Sequence, residues 1–376
     1  MTKESDELTH ELLGYDEQCP NLAKRKGWVR KNSLPVNLAL QGGGSHGAFT
    51  WGVLDRLLED GRISFEAVSG TSAGAVNAVI LADGMERGGP DGAREALANF
   101  WEAVSERGRY SPIQRNPFDV LFGNWSLDNS PSYLFFDMMS RLVSPYVANP
   151  MNLNPLRDLL EEAVDFERLR CCSQTKLFIS ATNVHTGKVR VFGTPEMTPD
   201  VILASACLPF LFQAVEIDDV PYWDGGFMGN PVMFPFFNHC STNDVLLIQI
   251  NPMIRPHTPK SARDILNRVN EITFNASLLK EFRAIEFVYR LIDKGLLDPK
   301  DYRQVRLHRI AAEGVMGEMS ASSKLNTEWR FLQHLFQLGR AEADAFLTGD
   351  VNNIGHRPSV DVRALLNLGH SAAAAQ

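Results

Sequence analysis

Two glycine-built junctions between a strand and a helix, close together near the amino end, constrain this chain more than any other feature. Val36 to Ala78 reads VNLALQGGGSHGAFTWGVLDRLLEDGRISFEAVSGTSAGAVNA. Val36 to Leu40 is a short apolar run suited to a strand buried on both faces, and it ends on Gly42-Gly43-Gly44-Ser45-His46-Gly47. Ala48, Trp51, Leu54, Leu57 and Leu58 then recur at helical spacing until Asp60-Gly61 stops the helix. A second strand over Phe65 to Ser69 leads into Gly70-Thr71-Ser72-Ala73-Gly74 and a helix of small apolar residues. Strand and helix alternating over such short connections predict a mainly parallel sheet covered by helices.

The 376 residues can bury a large core as one or two domains, and 44% hydrophobic with 22% charged residues is ordinary for a folded globular protein. A net charge of −8 argues against a nucleic-acid partner, which needs a basic surface to release counterions. The start, MTKESDELTHELLGYDEQCP, lacks the basic and apolar regions of a signal peptide, and no run of eighteen apolar residues offers a membrane span. These readings favour the cytoplasm. Five cysteines, two of them adjacent, resemble neither a disulfide framework nor a zinc site.

Residues 1–34 read as a polar surface extension with a basic cluster at Lys24, Arg25, Lys26, Arg30 and Lys31. A Gly-Gly-Pro break precedes a helix containing Ala93, Leu97 and Phe100. Residues 118–146 are rich in aromatics and Met and punctuated by prolines, which fits either a lid or acyl-chain pocket, or a helical insertion contributing ordinary core. Lys176 to Val184 and Val189 to Phe192 flank His185-Thr186-Gly187-Lys188 as a hairpin. Asp200 to Ala206 reads as a short helix, Tyr222-Trp223-Asp224-Gly225-Gly226 as a tight turn after a short strand, and Asp244 to Ile250 as another buried strand. From Ser261 onward the pattern is helical, with Ile265, Val269, Ile272, Leu278, Leu279, Phe282, Ile285 and Val288 forming one apolar face. Further helices are expected around Asn326 to Leu347, before a tail with a loose terminus.

Gly70 to Gly74 spells G-x-S-x-G, the strand-turn-helix elbow that holds a serine hydroxyl above a sheet. Ser72 is therefore a candidate nucleophile, or else simply a helix cap. The glycines at 42–44 could present backbone N–H groups to an oxyanion, since without Cβ atoms the chain can approach closely. The same loop also matches the dinucleotide fingerprint G-x-G-x-x-G, for which Glu66 is the nearest candidate ribose ligand. A Ser-His-Asp esterase would need a later histidine, and His239, His257, His308, His334, His356 and His370 all stand in undistinguished contexts. Asp224, between a Tyr-Trp pair and two glycines, can turn its carboxylate into a cleft, or bond its own backbone as an Asx turn.

Gly42 to Gly47, Gly70 to Gly74 and Asp224-Gly225-Gly226 together resemble the three signatures of patatin-like phospholipases, in their order and approximate spacing. Weaker matches lie at Ala181-Thr182-Asn183 with Thr186-Gly187 and at Ala204 to Pro209, and the resemblance spans roughly residues 35–257. It implies a three-layer α/β/α fold with a mainly parallel central sheet. The helical region 258–376 is similar to a carboxy-terminal extension of some bacterial members. The resemblance also implies a Ser–Asp dyad with Ser72 as nucleophile and Asp224 as base. Gly42, Gly43 and Gly44 would form the oxyanion hole, and Gly47, Gly70, Gly74, Gly225 and Gly226 complete the motifs. The expected chemistry is hydrolysis of a lipid or other acyl ester without metal or cofactor. Peripheral contact with a lipid interface and a homo-oligomer both stay open, as does a catalytically silent scaffold. The family often has Arg or Lys where His46 stands, which weakens a phosphate-gripping role for this loop and leaves its backbone donors intact.

Overall fold

The computed structural model describes residues 33–371 apart from residues 173, 256, 299 and 300. The basic cluster before residue 32 and the terminus after 371 lie outside the described residues.

Among the described residues eight strands form one sheet: β1 Leu34–Leu40, β2 Ile63–Gly70, β3 Lys176–Asn183, β4 Val189–Gly193, β5 Val215–Ile217, β6 Val220–Asp224, β7 Asp244–Gln249 and β8 Arg306–Ala311. Their order is β5-β6-β3-β2-β1-β7-β8, with β4 also on β3. β3, β2, β1, β7 and β8 are parallel, and the β4, β5 and β6 pairings are antiparallel. Alternation along β1 and β7 divides the core in two. Leu38, Leu40, Leu246 and Ile248 face one helical layer, and Ala39, Val245 and Leu247 face the other. The expected mixed α/β architecture with a mostly parallel sheet is present.

On the first face lie α1 (Gly47–Asp60) and α2 (Ala73–Gly108). The helical dihedrals of α2 break at Gly88 and Gly89, before Pro90, where the Gly-Gly-Pro sequence predicts an interruption. On the opposite face, α3 (Ala262–Asp293) packs Leu278, Phe282 and Ile285 into the second core. Its preceding apolar residues Ile265, Val269 and Ile272 are exposed, so the face read as continuous from sequence is buried only in its second half.

α1 is buried along most of its length because it is covered twice, by the sheet and by α4 (Trp329–Gly349). Trp51 packs on Phe336 with ring centroids 4.1 Å apart, and Asp55 of α1 binds Arg94 of α2 and Arg340 of α4. A Cβ at Gly339 would collide with the Phe49 carbonyl, so the two helices meet backbone to backbone there. Gly339→Ala should therefore destabilise the fold by about 1–3 kcal/mol through overpacking, read as a lower denaturant midpoint with unchanged slope. The region past residue 257 is mainly helical, as expected, and also contributes β8 to the sheet. Its RLHRIA segment carries Arg and His at alternate positions, and this masks a strand from a search for apolar runs.

One detail of register positions the site. Phe178 and Ile179 of β3 pair with β2, and Gly70 lies opposite Ile179. Thr182 is flanked by Val189 of β4 and Trp223 of β6, so β6 occupies the side of β3 that β2 vacates. Asp224 stands opposite Ala181. β6 thus runs head-on toward the end of β2, and Asp224 arrives two residues, roughly 7 Å, from Gly70.

Candidate active site

Ser72 follows β2 with φ 54° and ψ −122°, a left-handed conformation that costs a non-glycine residue energy and is held by its surroundings. Those surroundings are specific. The Ser72 N–H donates to Ser205 Oγ at 2.9 Å, and Gly74 N to the Thr71 carbonyl at 2.8 Å. The Thr71 hydroxyl bonds Ser180 Oγ at 2.6 Å and the Gly229 carbonyl at 2.7 Å. Gly70 and Gly74 sit in the turn itself, and Gly47 packs against Ala73 just beyond it. Sequence alone does not disclose Ser180, Ser205 or Gly229 as its supports, because each comes from a distant segment.

Asp224 closes β6 and is buried. Its N–H donates to the Cys207 carbonyl, and its carbonyl accepts from Thr182 Oγ1, both at 2.8 Å. With the main chain fixed on both sides, the carboxylate projects from a set position. Oδ1 accepts the Gly226 N–H at 2.7 Å, in the turn Gly225–Phe227, and the carboxylate lines the same cavity as Ser72, whose hydroxyl favours its ionised form. Burial raises its pKa to about 6, against the Gly226 N–H, the Ser72 hydroxyl and the Lys324 charge, which all favour the ionised form. The Asx turn and the cleft-facing carboxylate, alternatives from sequence, coexist in one side chain.

The glycine loop divides its donors. Gly42 N is taken by Asn230 Oδ1 at 2.7 Å, and its carbonyl accepts Asn251 Nδ2 at 2.7 Å. Gln41 Oε1 in turn receives the Ile250 and Asn251 amides. A clamp of three side-chain amides from the segments just after β1, β7 and β6 therefore fixes the loop. Gly43 and Gly44 N–H groups have no protein acceptor among the described residues. Gly44 has φ 59°, and a Cβ there would strike the Lys324 carbonyl. Neither Asn230, Asn251 nor Lys324 is singled out by sequence, because each reaches the loop from a distant segment.

Ser72, Asp224 and Gly42 to Gly44 open into one cavity of about 340 Å³. Tyr133 and Phe136 from the aromatic segment, Leu208 and Phe210, and Leu266 and Phe274 of α3 make its apolar wall. The segment 118–146 thus contributes pocket wall through helix Pro131–Leu142, while Phe118, Leu121 and Phe122 are largely exposed.

Among the described residues no imidazole bonds Ser72 or Asp224. His46 is buried, bonds Ser323 Oγ at 2.8 Å, and has its pKa pushed well down by burial, so it is neutral. His334 stacks on Trp125 and His239 lies against Phe178. One imidazole does link a carboxylate to a hydroxyl: His308 contacts Asp244 Oδ1 at 2.9 Å and Ser359 Oγ at 3.0 Å. That set stands at the amino end of β7 and β8, away from the cavity, with Asp244 also held by Arg306 and the Gly355 N–H. It ties β8 to the segment following α4. Glu66 accepts from Ser241 N, Ser241 Oγ and Thr242 N at 2.6–2.9 Å, so its carboxylate is committed to a loop cap and does not serve as a ribose ligand.

A family model described as Patatin-like phospholipase matches residues 38–236. A curated relative, the cGAMP-activated phospholipase of Escherichia coli (strain TW11681), is 27% identical over 216 residues, covering 51% of this chain and 52% of its own. The chain therefore spans about half the length of that relative. Among solved structures, VipD from Legionella pneumophila aligns over 84% of this chain and 68% of its own, at 15% identity and TM-score 0.33. ExoU in the ExoU-SpcU complex from Pseudomonas aeruginosa aligns over 65% and 51%, at 18% identity and TM-score 0.29. Among the described residues, no helix is long and apolar enough to cross a membrane.

Proposed function

Because the chain belongs to the patatin-like phospholipase family, we propose that it hydrolyses carboxylic esters of lipids through a Ser72–Asp224 dyad. The observation that carries this reading is a serine on a strained strand-to-helix turn and a buried carboxylate of raised pKa lining one apolar cavity, beside two backbone N–H groups that have no protein acceptor among the described residues.

Ser72 Oγ attacks the ester carbonyl carbon while its proton passes to Asp224. The carbonyl π electrons move onto oxygen, and the Gly43 and Gly44 N–H groups hold that oxyanion. On collapse, the C–O bond to the leaving alcohol breaks and Asp224 returns the proton to the departing oxygen, leaving an acyl-Ser72 ester. Water then attacks this ester with Asp224 again accepting a proton, and release of the fatty acid restores the Ser72 hydroxyl. Gly42 belongs to the loop's support in this scheme, since its N–H is spent on Asn230.

A carboxylate suits the base role here because burial lifts its proton affinity toward neutrality while it stays ionised above about pH 6. The reading is tested with a fluorophosphonate probe and mixed phospholipid vesicles. The expected result is a single adduct on the Ser72 peptide and release of free fatty acid that the probe suppresses. Equal labelling of a Ser72→Ala variant would remove Ser72 as nucleophile.

A further inference from the structure

Two cations line this cavity, Arg141 and Lys324; Arg141 pairs with Asp137 at 2.8 Å, and no ion pair of Lys324 is formed among the described residues. Lys324 lies in the carboxy-terminal region, outside the matched family segment, yet it lines the same wall as Ser72, Asp224 and the glycine loop. Its ammonium has three protons to donate. Among the described residues they have one acceptor, Asn251 Oδ1 at 2.7 Å. Neither nearby carboxylate is free to pair with it. Glu271 is gripped by Arg255 at 2.5 Å and by Arg268 at 3.1 Å, and Asp224 Oδ1 accepts the Gly226 N–H, with no Lys324 ion pair to either among the described residues.

A partly desolvated ammonium without an ion-pair partner is costly to keep, and the cost falls when an anion enters beside it. Burial accordingly depresses the Lys324 pKa, with Arg255 adding to the effect and Glu271 and Asp224 opposing it. The glycine loop offers no cation of its own for this purpose. His46, the titratable side chain of that loop, is neutral and turned to Ser323. The positive charge beside the loop therefore comes from Lys324, whose carbonyl also packs against Gly44.

Resting on the acyl-hydrolase reading for its context, we propose that Lys324 is the substrate-positioning cation of this cavity, binding the phosphate of a glycerophospholipid whose ester carbonyl lies over Ser72. Asn251 holds the ammonium on one side and the Gly42 carbonyl on the other, so phosphate binding is mechanically joined to the loop that receives the oxyanion.

Two arms of one experiment test this on the full chain. In the first, binding of an ether-linked monoalkyl glycerol phosphate is compared with that of the same ether glycerol lacking phosphate; neither can be hydrolysed, so the arm is independent of the Ser72 assignment. Wild type should prefer the phosphate-bearing ligand. Lys324→Met should lose about tenfold or more of that preference, as expected for a charge-assisted hydrogen bond, and Lys324→Arg should recover part of it. In the second, kcat/KM is measured for a lysophospholipid and the matching monoacylglycerol. Lys324 also influences the Asp224 charge, so a fall on both substrates is expected; the ratio between them isolates the phosphate contact. A ratio that Lys324→Met leaves within about twofold of wild type would overturn the proposal, as would equal binding of the two ethers by wild type. Free inorganic phosphate is the control for source: competition by millimolar phosphate without any ether preference would reduce Lys324 to a general anion site and also overturn it. Selective ether binding without hydrolysis of either ester would retain the Lys324 site and reject the hydrolase reading alone.

Discussion

Asp224→Asn is expected to lower kcat by about 10²–10⁴-fold, the usual worth of a positioned general base, while leaving the protein folded. The asparagine can keep the Gly226 N–H bond through Oδ1, but its other group is then an NH₂ facing Ser72. That group donates where the carboxylate accepted, so the serine proton has no destination. The pH profile carries the same assignment. The Asp224 carboxyl has a pKa of about 6, so wild-type kcat/KM should be level above neutrality and fall tenfold per pH unit well below about 6. Stability should move the opposite way. A carboxyl whose folded pKa is raised favours the protonated form on folding, so its contribution is fullest below the unfolded pKa near 4 and is lost as pH rises through about 6. The loss is of the order of 3 kcal/mol. Removing the charge at Asp224 should consequently raise the melting temperature at pH 8, giving a variant that is more stable and nearly inactive. Wild-type turnover in Asp224→Asn, or a flat profile between pH 5 and 8, would exclude Asp224 as base.

How much of this was legible beforehand follows from which interactions are local. The elbow at Ser72 and the turn at Asp224 announce themselves because glycines are required within a few residues of the functional side chain. β1 and β7 are legible because strands buried on both faces must be continuously apolar. β8 was not, since it edges the sheet and spends His308 and Arg306 on Asp244, a partner more than sixty residues away. The apolar stripe on α3 has the expected period, but only its second half is buried. Periodicity gives the face of a helix, whereas only tertiary placement decides that Leu266 and Phe274 wall a cavity while Phe282 fills a core. The loop's three expected donors became two because Asn230, from a segment 188 positions away, claims the first. A local pattern carries no trace of such a contact.

Gly44→Ala should cost about 10²–10³-fold in kcat, comparable with losing an oxyanion donor, although no functional side chain is altered. Two effects combine. An alanine at φ 59° pays about 1–2 kcal/mol for the left-handed conformation, and its methyl meets the Lys324 carbonyl in a segment that is itself fixed to Asn251. Relief comes by rotating the loop, and the groups that rotate are the Gly43 and Gly44 amides. The Ser72–Asp224 pair is built on β2 and β6, and Lys324 is the smallest of the influences on the Asp224 carboxyl, so the pH midpoint near 6 should move little with the substitution. That combination separates the loop from the dyad: turnover falls, the midpoint barely moves, and KM for a short neutral ester changes little because the donors act mainly on the transition state. Gly42→Ala should behave differently. Its Cβ would stand 2.7 Å from both Ser72 Cβ and the Thr71 carbonyl, so it displaces the nucleophile and should shift the midpoint together with the rate. If Gly44→Ala retained activity within about threefold, the two amides would not be the oxyanion donors, and the Ala73 N–H at the start of α2 would be the next candidate.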